Sequence, residues 1–303
     1  MGAVEFVEVG PRDGLQNESV LLSTADKVTL IGHAVAAGAR RIEVASFVRA
    51  DKVPQMADAE AVLAALPENA DVSYIALVLN KRGAERALLT RANELGAVAV
   101  ASNTFAQRNQ GQSSAESLEV ACSLVQLARD AGRAGQITIG ASFGCPFEGE
   151  VDPRYVVEMA RRAAASGATE VAIADTIGVA VPRDVTALVS AVRAAIHPLP
   201  VRVHFHNTRN TGLANVWAAV EAGATTIDGS LGGLGGCPFA PGAAGNVPTE
   251  DVLYLLHRSG VATGLSLDRV IEAVTWLTGV MGRPLPGMTS RAGGFPRADI
   301  KEF

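Results

Sequence analysis

VRVHFHNTRNTGLANVWAAVEAGATTIDGS, residues 201–230, decides the fold. It opens on a β-branched and aromatic run, 201–206, that reads as a strand. A segment with apolar residues at helical spacing follows, TGLANVWAAVEAG (211–223), closed by a glycine. A second strand pattern, TTIDGS (225–230), comes next. The same strand–helix order recurs along the chain. The other candidate strands are VEFVEVG (4–10), RIEVASF (41–47), VSYIALV (72–78), AVAVAS (97–102), ITIGASF (137–143) and EVAIAD (170–175). TADKVTLIGHAVAAG (24–38) and PRYVVEMARRAAASG (153–167) are further helical patterns. The tetrapeptides AAGA, ELGA, ASGA and EAGA stand before four of the strands. In each, glycine is expected to close a helix and alanine to begin an extended segment. Eight such units in 303 residues predict an α/β fold, a (β/α)8 TIM barrel. A doubly wound sheet is disfavoured, because neither a GxGxxG after the first strand nor a P-loop is present. No Pro- or Ser-rich linker divides the chain, so residues 1–303 are expected to form one barrel domain. Its core spans about 4–260, and a C-terminal segment, 261–303, carries one more helix, LDRVIEAVTWLTGVMG (267–282).

Composition excludes several classes. The formal net charge is −5 and no long basic stretch exists, which argues against nucleic-acid binding. Cys122, Cys145 and Cys237 are far apart and odd in number, so a disulfide framework is not expected and a reducing compartment is. The N-terminus enters a strand pattern without a signal-peptide pattern, and no apolar run is long enough to cross a bilayer. These features predict a cytoplasmic protein with no membrane partner.

In such a barrel the chemistry lies at the C-terminal ends of the strands. Those ends are unusually polar here. The first strand runs into GPRDGLQNE, with Arg12, Asp13, Gln16 and Glu18; the second carries Glu43 and Ser46; the sixth ends in Asp175. The seventh carries His204 and His206, which share a face about 7 Å apart along the strand. The eighth runs into GSLGGLGGCPFAPGAAGN, which holds Cys237 and Asn246. An isolated HxH pair is most simply two barrel-interior histidines bonded to neighbours. With the Asp13 carboxylate and the Asn246 amide oxygen available, a metal site becomes the better reading. A mixed N/O set without thiolate suits Mg²⁺ or Mn²⁺ better than structural zinc. Arg12 is either one half of a salt bridge, to Glu43 for example, that holds the strand-1 loop, or a fixed positive charge for a developing oxyanion; the two roles are compatible, since Glu43 could orient the guanidinium. Asp175 is either a carboxylate that orients a histidine or a cap for the next helix. Cys237 is either a small thiol in a connection or an acid–base group on a glycine-rich lid. Cys145 and Cys122 read as structural, and His33, His197 and His257 receive no chemistry.

Five stretches then carry a resemblance: VEVGPRDGLQNE (7–18), GCPFEGEV (144–151), DTIGVA (175–180), the HxH strand and GGLGGCPFAPGAAGNVPTEDV (232–252). In order and over about 4–260 the chain resembles the hydroxymethylglutaryl-CoA lyases, barrel metallolyases named for their Asp, Arg and Glu. The resemblance implies a divalent metal, Mg²⁺ or Mn²⁺, held by Asp13, His204, His206 and Asn246. It implies that Arg12 faces a thioester enolate, that Glu43 supports the site and that Cys237 takes part in proton transfer. An acyl-CoA thioester as substrate and a homodimer follow as expectations. The reaction implied is retro-Claisen cleavage of 3-hydroxy-3-methylglutaryl-CoA to acetyl-CoA and acetoacetate. Two features depart from the familiar pattern. After His206 those lyases carry an acidic residue and Thr-Tyr-Gly, where this chain has Asn207, Thr208, Arg209 and Asn210; and Thr138 stands near an expected tyrosine. Both affect the choice of substrate. A lyase for a related branched 3-hydroxyacyl-CoA such as citramalyl-CoA is therefore a rival reading. A Claisen-condensing synthase is another, although little chain remains for its extra domains. A non-catalytic barrel is disfavoured by the intact polar set. Arg209 reads either as a partner for a substrate carboxylate or CoA phosphate, or as a solvated surface residue.

Overall fold

The computed structural model of the chain describes residues 2–236 and 245–296. Eight parallel strands close into a barrel in chain order: β1 (Glu5–Glu8), β2 (Arg41–Ser46), β3 (Ser73–Val78), β4 (Glu94–Val100), β5 (Ala134–Gly140), β6 (Val171–Asp175), β7 (Val201–Phe205) and β8 (Thr226–Gly229). β8 returns to β1 in parallel, with Glu5 opposite Thr226 and Glu8 opposite Gly229, so no edge is left open. Helices fill the crossovers: α1 (Thr24–Ala36), α2 (Ala59–Ala65), α3 (Lys81–Leu88), α4 (Asn103–Gln110), α5 (Ser114–Asp130), α6 (Pro153–Ala165), α7 (Pro182–Ile196) and α8 (Gly212–Glu221). After β8 come α9 (Thr249–Arg258), α10 (Leu267–Met281) and the short α11 (Thr289–Ala292). The tail helix expected over 267–282 is α10. No helix among the described residues is long and apolar enough to cross a membrane.

Local chemistry explains the element ends. Ser23 accepts the Asp26 amide and caps α1, Ser113 and Glu116 form a reciprocal capping box on α5, and Asp152 caps α6 with Pro153 in its first turn. Gly38, at φ +106°, turns the chain from α1 into β2, and a Cβ there would meet the Gly264 carbonyl oxygen at 2.5 Å. AAGA, ASGA and EAGA behave as expected. ELGA does not: Glu94–Ala97 lie inside β4, which starts three residues earlier than its sequence pattern. The reason is the barrel interior. A Cβ at Gly96 would meet Gln136 Nε2 at 3.3 Å and Glu43 Oε1 at 3.7 Å, so glycine here makes room for polar side chains instead of ending a helix.

Alternation along the strands sorts the side chains into two environments. Val171, Ile173, Val201, Val203 and Ile227 face the helices in the main apolar core. The interior face is polar at its floor. Arg41 bonds Glu94 at 2.8 Å and Glu170 at 3.0 Å, and Thr226 donates to Glu170 at 2.6 Å. Buried charges survive only when paired, and these are paired. A β-bulge between Glu43 and Ala45 shifts the β2 register. Glu43 and Ser46 therefore lie opposite Ile75 and Leu77 on one face, while Ala45 lies opposite Ala76 on the other.

Candidate active site and metal centre

The site begins where β1 ends. Residues Gly10–Gly14 form a single π-helical turn, in which the Arg12, Asp13 and Gly14 amides all point at the Val9 carbonyl oxygen, at 3.2, 2.7 and 3.2 Å. On a strand, neighbours such as Arg12 and Asp13 would face opposite ways. The wide turn brings both to the barrel mouth, a frequent use of π turns. Arg12 donates Nη1 to Asp13 Oδ1 and Nη2 to Glu43 Oε2 at 2.7 Å. The expected Arg12–Glu43 pair is thus present, with Glu43 only 3% exposed.

The histidine strand supplies the next two groups. His204 and His206 share a face, with ring centroids 5.2 Å apart. His204 Nε2 lies 3.8 Å from Asp13 Oδ2. One ligand atom from each of Asp13, His204 and His206 falls within 4.8 Å of the others. Asn246 arrives from the far side of the glycine-rich segment. The chain at 245–247 pairs with the end of β7, the Val247 amide donating to Phe205 O at 3.1 Å and the Asn207 amide to Gly245 O at 3.0 Å. Asn246 Nδ2 then donates to Asp13 Oδ2 at 2.8 Å and to Leu234 O at 3.0 Å. Its Oδ1 and His206 Nδ1 are buried without hydrogen-bond partners among the described residues. A cation beside Asp13 would satisfy both, and the donors, one carboxylate, two imidazoles and one amide oxygen, suit a hard or borderline divalent ion. The residues therefore fit a divalent metal.

Electrostatics agree with that use at Asp13 and His206. Burial raises the Asp13 carboxyl, but Arg12 first, then the two histidines and the Asn246 bond, hold it well below the usual carboxylate range. Burial, aided by His204, pushes His206 down to about 4, which keeps its lone pair available at neutral pH. Burial pulls His204 down, but its Asp228 hydrogen bond and the Asp13 charge bring it above its ordinary value.

One expected site residue stands elsewhere. Asp175 has the parity of Val171 and Ile173, the helix-side face of β6. Its carboxylate accepts the Val179 and Ala180 amides, each at 2.9 Å, so it caps the β6–α7 turn and does not bond a histidine. The carboxylate that bonds His204 is Asp228, at 3.0 Å from Nδ1. Asp228 and its partner Arg202 went unnoticed in the sequence. The available signal was alternation: Arg202, His204 and Asp228 all occupy interior positions of their strands. Cys237 lies outside the described residues. Gly235 and Gly236 beside it are described, and a Cβ on Gly235 would meet Asn246 Nδ2 at 2.4 Å and Asp13 O at 3.1 Å. Cys145 is structural: its sulfur takes a bond from Ser102 at 2.9 Å and lies beside the Phe147 and Glu148 amides. Arg209 is exposed, as a surface arginine would be, and its Nη1 holds the Ile177 and Gly178 carbonyls. Asn207 accepts the Gly212 amide at the start of α8, and Thr138 is half-buried opposite Val98.

A closed (β/α)8 barrel with an Arg–Asp turn, an HxH strand and an asparagine converging at its mouth defines a class of barrel lyase built around a metal centre. Residues 3–276 match the HMGL-like family model, and the chain belongs to that family as a carbon–carbon lyase. (R)-citramalyl-CoA lyase of Chloroflexus aurantiacus is 43% identical over 97% of this chain and 96% of its own length. Hydroxymethylglutaryl-CoA lyase of Bacillus subtilis is 40% identical over 93% and 95%. A solved HMG-CoA lyase of Acinetobacter baumannii, in complex with coenzyme A and 3-methylmalate, superposes with a TM-score of 0.94 at 37% identity, covering 99% of this chain and 98% of that one.

Proposed function

We propose that the chain cleaves the C2–C3 bond of 3-hydroxy-3-methylglutaryl-CoA, releasing acetyl-CoA and acetoacetate. The observation that carries this reading is Arg12, a buried guanidinium gripped by Asp13 and Glu43 at the edge of the Asp13–His204–His206 cluster. A divalent ion bound there, Mg²⁺ or Mn²⁺, would supply Lewis acidity toward the substrate's hydroxyl and carbonyl oxygens. Asp13, His204, His206 and Asn246 would hold it. The rest falls to the chain's own groups. A base takes the proton of the C3 hydroxyl, the C3–O bond becomes the ketone carbonyl of acetoacetate, and as the C2–C3 bond breaks its electron pair becomes a thioester enolate with negative charge on the thioester oxygen. Arg12 meets that charge with a cation already fixed in place by Glu43, so little reorganisation is needed at the moment of reaction. Carbon C2 then takes a proton from an acid. Cys237 is the candidate for that donor, at the end of a segment whose described flank, Gly235, packs against Asp13. Asp175 keeps an indirect part, shaping the loop that carries Ile177. A homodimer is retained as part of the proposal.

The 43% likeness to an (R)-citramalyl-CoA lyase supports a second reading. Citramalyl-CoA shares the 3-hydroxy-3-methyl acyl-thioester half and lacks one methylene before the distal carboxylate, so it would yield pyruvate and acetyl-CoA. A single methylene changes discrimination only about 10- to 200-fold, which modest changes at a barrel mouth can supply. The test is acetyl-CoA release by purified protein from both thioesters, with and without chelator. Preference for hydroxymethylglutaryl-CoA by kcat/KM supports the first reading. An inert hydroxymethylglutaryl-CoA beside rapid citramalyl-CoA turnover replaces it with the second.

A further inference from the structure

Beneath the histidines the barrel holds a cation that the proposed reaction does not use. Arg202 precedes His204 by two residues on β7, so both project from the same face. It is 2% exposed. Its Nε and Nη2 both go to one carboxylate, Asp228 on the neighbouring strand, Nη2 reaching Oδ2 at 2.9 Å. The same Oδ2 lies 3.0 Å from His204 Nδ1. A planar fork that grips both oxygens fixes the plane of the carboxylate as well as its position. An ionised carboxylate only accepts, so His204 Nδ1 must carry the proton. In the neutral ring that leaves a lone pair on Nε2, the nitrogen that faces Asp13 at 3.8 Å. We propose that Arg202 is a positioning residue for the metal centre: through Asp228 it fixes the tautomer and ring plane in which His204 offers Nε2 to a divalent cation. The inference rests on the metal reading above.

A simpler role would be neutralising interior acids. The geometry argues against it. Glu43 and Glu170 are close enough to stabilise the Arg202 charge, yet neither receives a hydrogen bond from it, and Nη1 has no partner among the described residues. The fork is committed to Asp228. Neutralisation would also be served by a lysine, whose ammonium is a point charge without a fork. The two roles therefore separate on substitution.

The experiment uses the full chain and Mn²⁺ as probe. Free Mn²⁺ is measured by electron paramagnetic resonance in titrations of the wild type, Arg202→Lys and Arg202→Met, with far-UV circular dichroism to report folding. Positioning predicts that Mn²⁺ affinity falls about 10- to 100-fold in Arg202→Lys, the range for losing an outer partner of a ligating histidine, with the dichroism spectrum unchanged. Long-range ¹H–¹⁵N spectra of the metal-free wild type, assigned by loss of signal in His204→Gln, should show His204 protonated on Nδ1. That measurement can overturn the inference even where a variant fails to fold. Wild-type affinity in Arg202→Lys, or a neutral His204 protonated on Nε2, overturns the inference. A wild type that binds no Mn²⁺ overturns the metal reading and this inference with it, whereas a binding wild type with an unaffected Arg202→Lys sinks this inference alone.

Discussion

Glu8 offers a test of how burial and hydrogen bonding compete in this barrel. Its carboxylate sits outside the strands, between the turn that carries Arg12 and the glycine-rich segment. It accepts the Gly10 amide at 2.8 Å, the Leu231 amide at 2.9 Å and the Thr249 hydroxyl at 2.6 Å. Those three bonds favour the ionised form, and burial opposes it. Burial wins, lifting the carboxyl from 4.5 to about 7. A folded-state pKa above the unfolded one means that the native chain binds more protons between those two values. Stability must therefore fall as pH rises from about 4.5 to 7, and the loss is complete above 7. At 1.36 kcal/mol per pKa unit the loss amounts to about 3 kcal/mol. Glu8→Gln keeps the shape and the acceptor for both amides but has no proton to release. The gap between variant and wild type in unfolding free energy should thus grow by about 3 kcal/mol in the variant's favour between pH 4.5 and pH 8. Urea unfolding followed by circular dichroism at four pH values measures it. Taking the difference removes His206, which titrates the other way: its folded pKa of about 4 adds stability as pH rises toward 6.5. Parallel profiles would refute the reasoning. They would mean that three hydrogen bonds outweigh burial and keep Glu8 charged.

Four further outcomes are expected. Arg12→Gln should lower kcat by at least about 100-fold, as for loss of an oxyanion donor, while Mn²⁺ affinity changes much less; near-normal turnover would remove Arg12 from the chemistry. The same variant strands Glu43 in the interior, so its unfolding free energy should drop by about 3–5 kcal/mol. Gly235→Ala sets a Cβ against Asn246 at a φ of +115°, and should weaken Mn²⁺ binding with little change in the dichroism spectrum; unchanged affinity would detach Asn246 from the metal centre. Chelator treatment should abolish turnover and added Mg²⁺ or Mn²⁺ should restore it, whereas full activity in metal-stripped protein would end the metal reading.

The barrel was legible because each of its units repeats one signal, a short β-rich run followed by a helical period. ELGA failed because a glycine that makes space inside a barrel and a glycine that ends a helix look alike in one dimension. Within the site, the histidine pair followed directly from the two-residue period of a strand. Arg12 and Asp13 did not. Their joint orientation needs the π turn at Gly10–Gly14, which no periodicity announces. Asp175 was attractive as an acid at a strand end. Its parity with Val171 and Ile173 already placed it on the helix side, and counting alternation along β8 would have put Asp228 inside.

Parity also explains how one barrel keeps so many charges. Acids on the interior face meet arginines: Glu94 and Glu170 meet Arg41, Asp228 meets Arg202, and Glu43 meets Arg12. The acids outside it, Glu8 and Asp175, meet backbone amides at the roots of loops. The first set holds side chains in place for the chemistry, and the second holds the loops that carry them. Substitution of an interior acid should accordingly disturb ion binding or turnover at constant fold where the partner touches the site. Substitution of an outer acid should act first on stability and its pH dependence. The Glu8 profile and the Arg202 titration test the two halves of that division separately, and a Glu8→Gln variant that lost Mn²⁺ affinity without any change in its stability profile would contradict it.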